Sequence, residues 1–159
     1  MIRLIYSGSL VQHPKEDQVS EFLASARQHN QRKGICGVLV LMERDFLQVI
    51  EGPDDEVDGL FEQLLSETRR YSLILLSRQR IRQPIFGAWS LGFIKAESNR
   101  ADPQQPETQQ PEDQMLLEIQ QIDPNDPTAR HTLRIIREFI DGKWHHHLPG
   151  IRNPIIIRR

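Results

Sequence analysis

Cysteine is almost missing. Cys36 is the only one in 159 residues, so no disulfide closes within the chain and a reducing, cytoplasmic setting is expected. Neither sign of charge prevails, since 20 Lys and Arg face 22 Asp and Glu for a net charge of −2. That balance gives no electrostatic case for nucleic acid or an anionic membrane. Aromatic residues make up 6 % of the chain. An RNA-binding sheet exposes aromatics on its central strands among Lys and Arg, and here the hairpin offers only Phe46. No apolar run approaches the roughly 20 residues that cross a bilayer. The opening M-I-R-L-I-Y is too short for a secretory leader and reads as the start of a strand.

The residues that are present alternate between strand and helix patterns. Ile2 to Tyr6 reads as a strand closed by Ser7-Gly8-Ser9. Val19, Phe22, Leu23 and Ala26 recur at helical spacing between Pro14 and His29. The polar Asn30 to Gly34 forms the exit. Ile35 to Met42 is apolar enough for a strand buried on both faces, and Glu43-Arg44 reads as the turn into a partner strand over Phe46 to Glu51. A second helix runs from Pro53 to about Thr68 with Val57, Leu60, Phe61, Leu64 and Leu65 on its stripe. Strands are expected over Tyr71 to Ser77 and over Phe86 to Ile94. The order βαββαββ implies an α+β, ferredoxin-like sheet with two helices on one face.

Composition then shifts to Gln, Pro, Glu and Asp. The expected organisation is a domain over residues 1–96, a polar loop over 97–111, and a helical extension with tail over 112–159. In the extension, helices are expected over about Glu112 to Gln121 and Pro127 to Asp141. The second carries Leu133, Ile136, Phe139 and Ile140 and is expected to cover the free sheet face. His145, His146 and His147 alternate in direction on an extended chain and make a poor chelate.

One residue breaks the pattern. Phe46, Gln48 and Ile50 share a face of the third strand, with Leu47 and Val49 on the other. A primary amide on an apolar face needs hydrogen-bond partners or costs about 1–3 kcal/mol. Its C=O and NH₂ ends have nearly the same shape and opposite polarity, so reversing them exchanges donor for acceptor. That is the chemistry of a switch.

The fragments R-L-I-Y-S, A-R-Q-H-N-Q-R-K-G-I-C-G-V-L, F-L-Q-V-I-E-G-P, T-R-R and F-G-A-W-S-L-G-F occur in this order between Met1 and Ile94. Together they resemble the BLUF family, blue-light sensors that hold a flavin, usually FAD, without a covalent bond. The resemblance implies that Tyr6 donates an electron and then a proton to the excited flavin, and that Gln48 rearranges between the phenol and the ring. It implies that Asn30 pairs with the ring's pyrimidine edge, with His29 beside it. Phe22 and Leu64 would sandwich the ring, and Arg69 and Arg70 would lie near the cofactor. Trp89 and Leu91 would relay the signal to the tail. Leu91 stands where the family most often has Met, Cys36 where Thr is usual, and Arg70 where His is common.

The resemblance also implies a sensor without catalytic turnover, FMN or riboflavin as substitutes for FAD, and a downstream signalling protein as partner. The apolar edges of the tail and the run Ile155-Ile156-Ile157 suggest a homo-oligomer. Two other readings fit the same plan. An acylphosphatase-type hydrolase needs a phosphate-cradling arginine after the first strand, where this chain has Ser7-Gly8-Ser9. A flavin-free interaction module would have no use for Tyr6, Asn30 and Gln48 together.

Overall fold

A computed structural model describes residues 1–67, 71–96 and 125–142. Arg69, Arg70, the 97–111 loop, the expected helix over 112–121, the three histidines and the Ile155-Ile156-Ile157 run lie outside the described residues. The elements are β1 (Ile2–Leu10), α1 (Glu16–Lys33), β2 (Cys36–Met42), β3 (Asp45–Gly52), α2 (Asp54–Ser66), β4 (Tyr71–Arg80), β5 (Gly92–Ala96) and α3 (Pro127–Ile140).

The strands form one sheet in the order β4-β1-β3-β2-β5. The first four are antiparallel to their neighbours, and β5 joins the edge parallel to β2. This is the ferredoxin-like plan with one strand added. Helices α1 and α2 cover one face through Leu23, Val57 and Phe61, which pack with Leu4, Tyr6, Leu39, Phe46 and Ile50. Helix α3 covers the other, where Ile135, Ile136 and Phe139 meet Ile5, Val38, Val40, Leu47 and Val49. The strict alternation of the central strands assigns each residue to its layer. The expectation that the second tail helix covers the free face is met.

Local chemistry sets the ends of the elements. Gly34 closes α1 in the left-handed region at φ 66 and donates its N–H to the Asn30 carbonyl, the usual glycine stop. In the β2–β3 turn Glu43 itself takes φ 55, a conformation that Asn or Gly normally supplies. Pro127 opens α3 behind Asp126, whose carboxylate accepts from the backbone N–H groups of Thr128 at 2.8 Å and Ala129 at 3.3 Å.

Several boundaries differ from expectation: α1 continues past His29 to Lys33 and β4 past Ser77 to Arg80. Ser7, Gly8 and Ser9 do not end β1; they continue its ladder with β3 and β4. Gly8 serves close packing, since a Cβ there would stand 2.6 Å from the Phe46 ring and 2.0 Å from the Ser72 carbonyl oxygen. The strand expected over Phe86 to Ile94 is confined to Gly92–Ala96. Residues 86–91 form an irregular segment because the Phe86 amide donates to the Glu51 carboxylate at 2.9 Å, and Trp89 N–H turns back to the Phe86 carbonyl at 3.0 Å.

Candidate functional site

The register brings the two most suggestive residues together. Tyr6 of β1 stands directly opposite Gln48 of β3. Gln48 stands opposite Leu39 of β2, and Leu39 opposite Phe93 of β5. On the other side Tyr6 pairs with Leu75 of β4, at a register shift between Ile5 and Tyr6. A single row of side chains thus crosses all five strands on the face that α1 and α2 cover, with a phenol and an amide as adjacent members. Directly opposed residues have Cβ atoms about 4.5–5.5 Å apart, so the two polar groups are neighbours by construction.

Above this row lies a cavity of about 710 Å³, within the roughly 300–1,000 Å³ usual for small-molecule sites. Tyr6, Leu39, Phe46 and Gln48 line its sheet side, Val19 and Phe22 contribute from α1, and Leu64 from α2. Tyr71 and Leu73 of β4 close one flank, while Val11, His13 and Glu67 reach it from connecting segments. The Phe46 and Tyr71 rings meet edge to face at 6.1 Å, and the Tyr71 hydroxyl donates to the Leu64 carbonyl at 2.8 Å. Tyr6 is braced by Phe61 at 5.2 Å between ring centroids.

Three features suit this cavity to a planar, largely apolar molecule with a polar edge. The Tyr6 hydroxyl is buried and has no hydrogen-bond partner among the described residues. A buried hydroxyl left unpaired costs about 1–3 kcal/mol, so a ligand atom that bonds it recovers that loss. The large apolar residues exposed among the described ones include Val11 at 63 % and Phe22 at 47 %, and both line the cavity. Finally, the buried Gln48 offers both a donor and an acceptor at the cavity wall. Burial, with a smaller contribution from Tyr71, holds the Tyr6 phenol well above the usual tyrosine range. It therefore keeps its proton at neutral pH.

The expected site residues divide. Tyr6, Phe22, Gln48 and Leu64 converge on the cavity. His29 is exposed and Asn30, though buried, is not part of the lining. The reason is local, since Asn30 lies in the last turn of α1 and its Nδ2 donates to the Ser90 carbonyl at 2.8 Å. Trp89 and Leu91 fall on opposite faces of the sheet. Trp89 packs with the α3-side core, 6.4 Å from the Phe86 ring, while Leu91 is buried in the cavity-side core.

Sequence reasoning missed Leu39, Tyr71 and Val11 as lining residues. Leu39 was readable from alternation, since it shares a face with Gln48 once the hairpin register is set. It also missed Arg27, whose Nε donates to the Leu91 carbonyl at 2.8 Å. No group of three or more His, Cys, Asp or Glu side chains among the described residues is placed to hold a metal ion. No helix among them is long and apolar enough to cross a membrane.

Known proteins resemble this chain in sequence and fold. The Photoactivated adenylate cyclase subunit alpha-like protein FB of Euglena gracilis is 29% identical over 93 residues, covering 56% of this chain and 9% of that protein. The chain matches less than a fifth of the length of the curated relatives it resembles. Among solved structures, BlsA in its ground state is 31% identical with a TM-score of 0.53, covering 59% of this chain and 64% of that one. The dark-state structure of BlrB, a BLUF protein, has a TM-score of 0.59 at 20% identity, covering 89% of this chain and 96% of that one. That last likeness concerns the fold alone. The sequence model described as "BLUF: Sensors of blue-light using FAD" matches residues 1–92, and the chain belongs to this family.

Proposed function

We propose that this chain is a blue-light photoreceptor that holds FAD non-covalently in the cavity between the sheet, α1 and α2, with Tyr6 and Gln48 as its photochemical pair. The observation that carries this reading is the Tyr6 hydroxyl, unpartnered among the described residues, beside Gln48 in one cross-strand pair at the cavity wall. When bound, the flavin supplies blue absorption and an excited state that oxidises a phenol. The protein's residues do the rest. Phe22 and Leu64, from facing helices, grip the ring. Tyr6 releases an electron and its hydroxyl proton and takes both back. Gln48 reverses its amide in between, so that its NH₂ and C=O trade places toward the cavity. Asn30 acts through the Ser90 carbonyl that it holds, and the family resemblance assigns Arg69 and Arg70 to the vicinity of the cofactor. The lining addresses the ring system, so FMN and riboflavin substitute for FAD.

In this reading the chain senses light and passes the change to a downstream signalling protein, without catalytic turnover of its own. Trp89 and Leu91 mark the segment that leads toward the tail, which pairs with a second copy of the chain. The setting is the cytoplasm.

The test is a dark-minus-light absorption spectrum of purified, flavin-reconstituted protein. The expected result is a reversible red shift of the blue band. A preparation that stays colourless after incubation with FAD, FMN and riboflavin defeats the reading.

A further inference from the structure

On the sheet face away from the cavity, Arg3 and Glu51 stand opposite each other in the β1–β3 ladder. Both side chains are fully buried, and Arg3 Nε donates to Glu51 Oε1 at 2.6 Å. A buried ion pair is costly to desolvate and persists where further hydrogen bonds satisfy it. Glu51 has such bonds. Oε1 also accepts from Ile85 N–H at 3.2 Å, and Oε2 accepts from Phe86 N–H at 2.9 Å.

We propose that Glu51 is the positioning residue of segment 85–91, and that Arg3 joins it to α3, so that the tail helix and this segment bias one another. The proposal rests on the sensor reading given above. The far end of the segment is held from the cavity side, where Asn30 bonds the Ser90 carbonyl and Arg27 the Leu91 carbonyl. One short stretch is thus pinned by a carboxylate on the α3 face and by two α1 side chains on the other. The remaining arm of Arg3 completes the link. Its Nη1 donates to Thr132 Oγ1 of α3 at 3.3 Å, and that hydroxyl donates to the Thr128 carbonyl at 3.0 Å. Arg3 Nη2 is buried without a partner among the described residues. Glu51 holds the guanidinium through Nε, and among the described residues Thr132 is the α3 side chain that accepts from it.

Coupling between two places in a protein is reciprocal. Loosening Thr132 therefore loosens the Glu51 grip on the Ile85 and Phe86 amides, although those residues lie in another element. Amide hydrogen exchange on the full, flavin-loaded chain in the dark reads this directly. Thr132→Val keeps the side-chain shape and removes the hydroxyl, while Thr132→Ser keeps the hydroxyl. The expected result is exchange at Ile85 and Phe86 about fivefold faster in T132V, the lower end of common inter-site coupling. T132S should match the unsubstituted chain, and the β1–β3 ladder amides should not change in either variant. Unchanged exchange at Ile85 and Phe86 in T132V overturns the proposal. So does uniform acceleration across the sheet, which marks plain destabilisation.

A second measurement follows recovery in the dark after a blue pulse. T132V should alter the recovery rate and T132S should restore it; an unaltered rate in T132V overturns the link to the cavity. If the unsubstituted chain shows no light-induced shift at all, the sensor reading fails, while the dark exchange comparison still decides the coupling.

Discussion

At the scale of single residues, the molecule places a phenol and a carboxamide where apolar side chains would otherwise sit. Replacing Gln48 by Leu should leave flavin binding intact and abolish the light-induced red shift, as no invertible amide remains beside the ring; a dark-minus-light spectrum of the variant checks this, and a normal shift in it would refute the switch. Tyr6→Phe should also retain flavin and lose the shift. Its stability adds a second, independent test. Without flavin the buried Tyr6 hydroxyl has no hydrogen-bond partner among the described residues, at a cost of about 1–3 kcal/mol. The flavin-free Phe variant should therefore unfold at a higher denaturant concentration than the parent. The pH dependence has a definite sign. The folded-state phenol is held above its unfolded value by burial, so the folded form binds the proton more tightly. Its contribution is fully present below the unfolded value of about 10 and is lost as pH rises through the higher folded value. The alkaline fall in stability should be shallower in the Phe variant.

Gln48 was the most legible part of the site, because an amide in an alternating apolar strand breaks a simple rule. Asn30 was legible as a helix-end residue, but its Ser90 partner lies sixty positions away and no local pattern announces it. Cys36 is buried. Burial first, then the charge of Glu51, pushes its thiol up to about 12, which leaves it protonated and unreactive at neutral pH.

At the scale of elements, period-two and period-3.6 patterns were enough to place β1 to β4, both early helices and α3. They failed over residues 86–91, where strand-like composition meets a carboxylate that captures the backbone. The Phe86 amide bonds Glu51, thirty-five positions earlier, in place of a neighbouring strand. Arg3 and Glu51 were each visible as charges in apolar strands, yet their pairing required the β1–β3 register. Helix α3 depends on its cap. The Asp126 carboxyl is held below the usual aspartate range, first by the Thr128 hydroxyl and then by backbone N–H groups. Asp126→Ala should cost about 1 kcal/mol, seen as a lower denaturation midpoint and faster amide exchange in residues 127–140. The capping term is present above the unfolded carboxyl value and fades as pH falls through the lower folded one, so the parent and the Ala variant should converge in acid.

At the scale of the whole molecule, the sheet separates two cores of different completeness. The α3-side core is closed by Ile135, Ile136 and Phe139. The other contains the 710 Å³ cavity and a half-exposed Phe22. A ligand that fills the second core binds the folded state alone and should stabilise it by about 2.7 kcal/mol at a hundredfold excess over its Kd. Thermal unfolding across a flavin titration measures this, and a midpoint that does not move with flavin concentration contradicts it. The layering itself was legible from the order of elements. The volume left between sheet and helices was not, because it depends on how far α1 stands off, and α1 buries little more than Leu23 and Asn30.

Strand β3 has a consequence for how this chain can vary. Its even-numbered residues, Phe46, Gln48 and Ile50, serve one side of the sheet, and Leu47 and Val49 serve the other. Adding or deleting one residue between Asp45 and Gly52 would exchange the two sets wholesale, sending the carboxamide into the hydrocarbon under the tail helix. Conservative replacements in this stretch are survivable, but changes in its length are not. A library of single-codon insertions and deletions across the gene should therefore be emptied most completely over these eight positions.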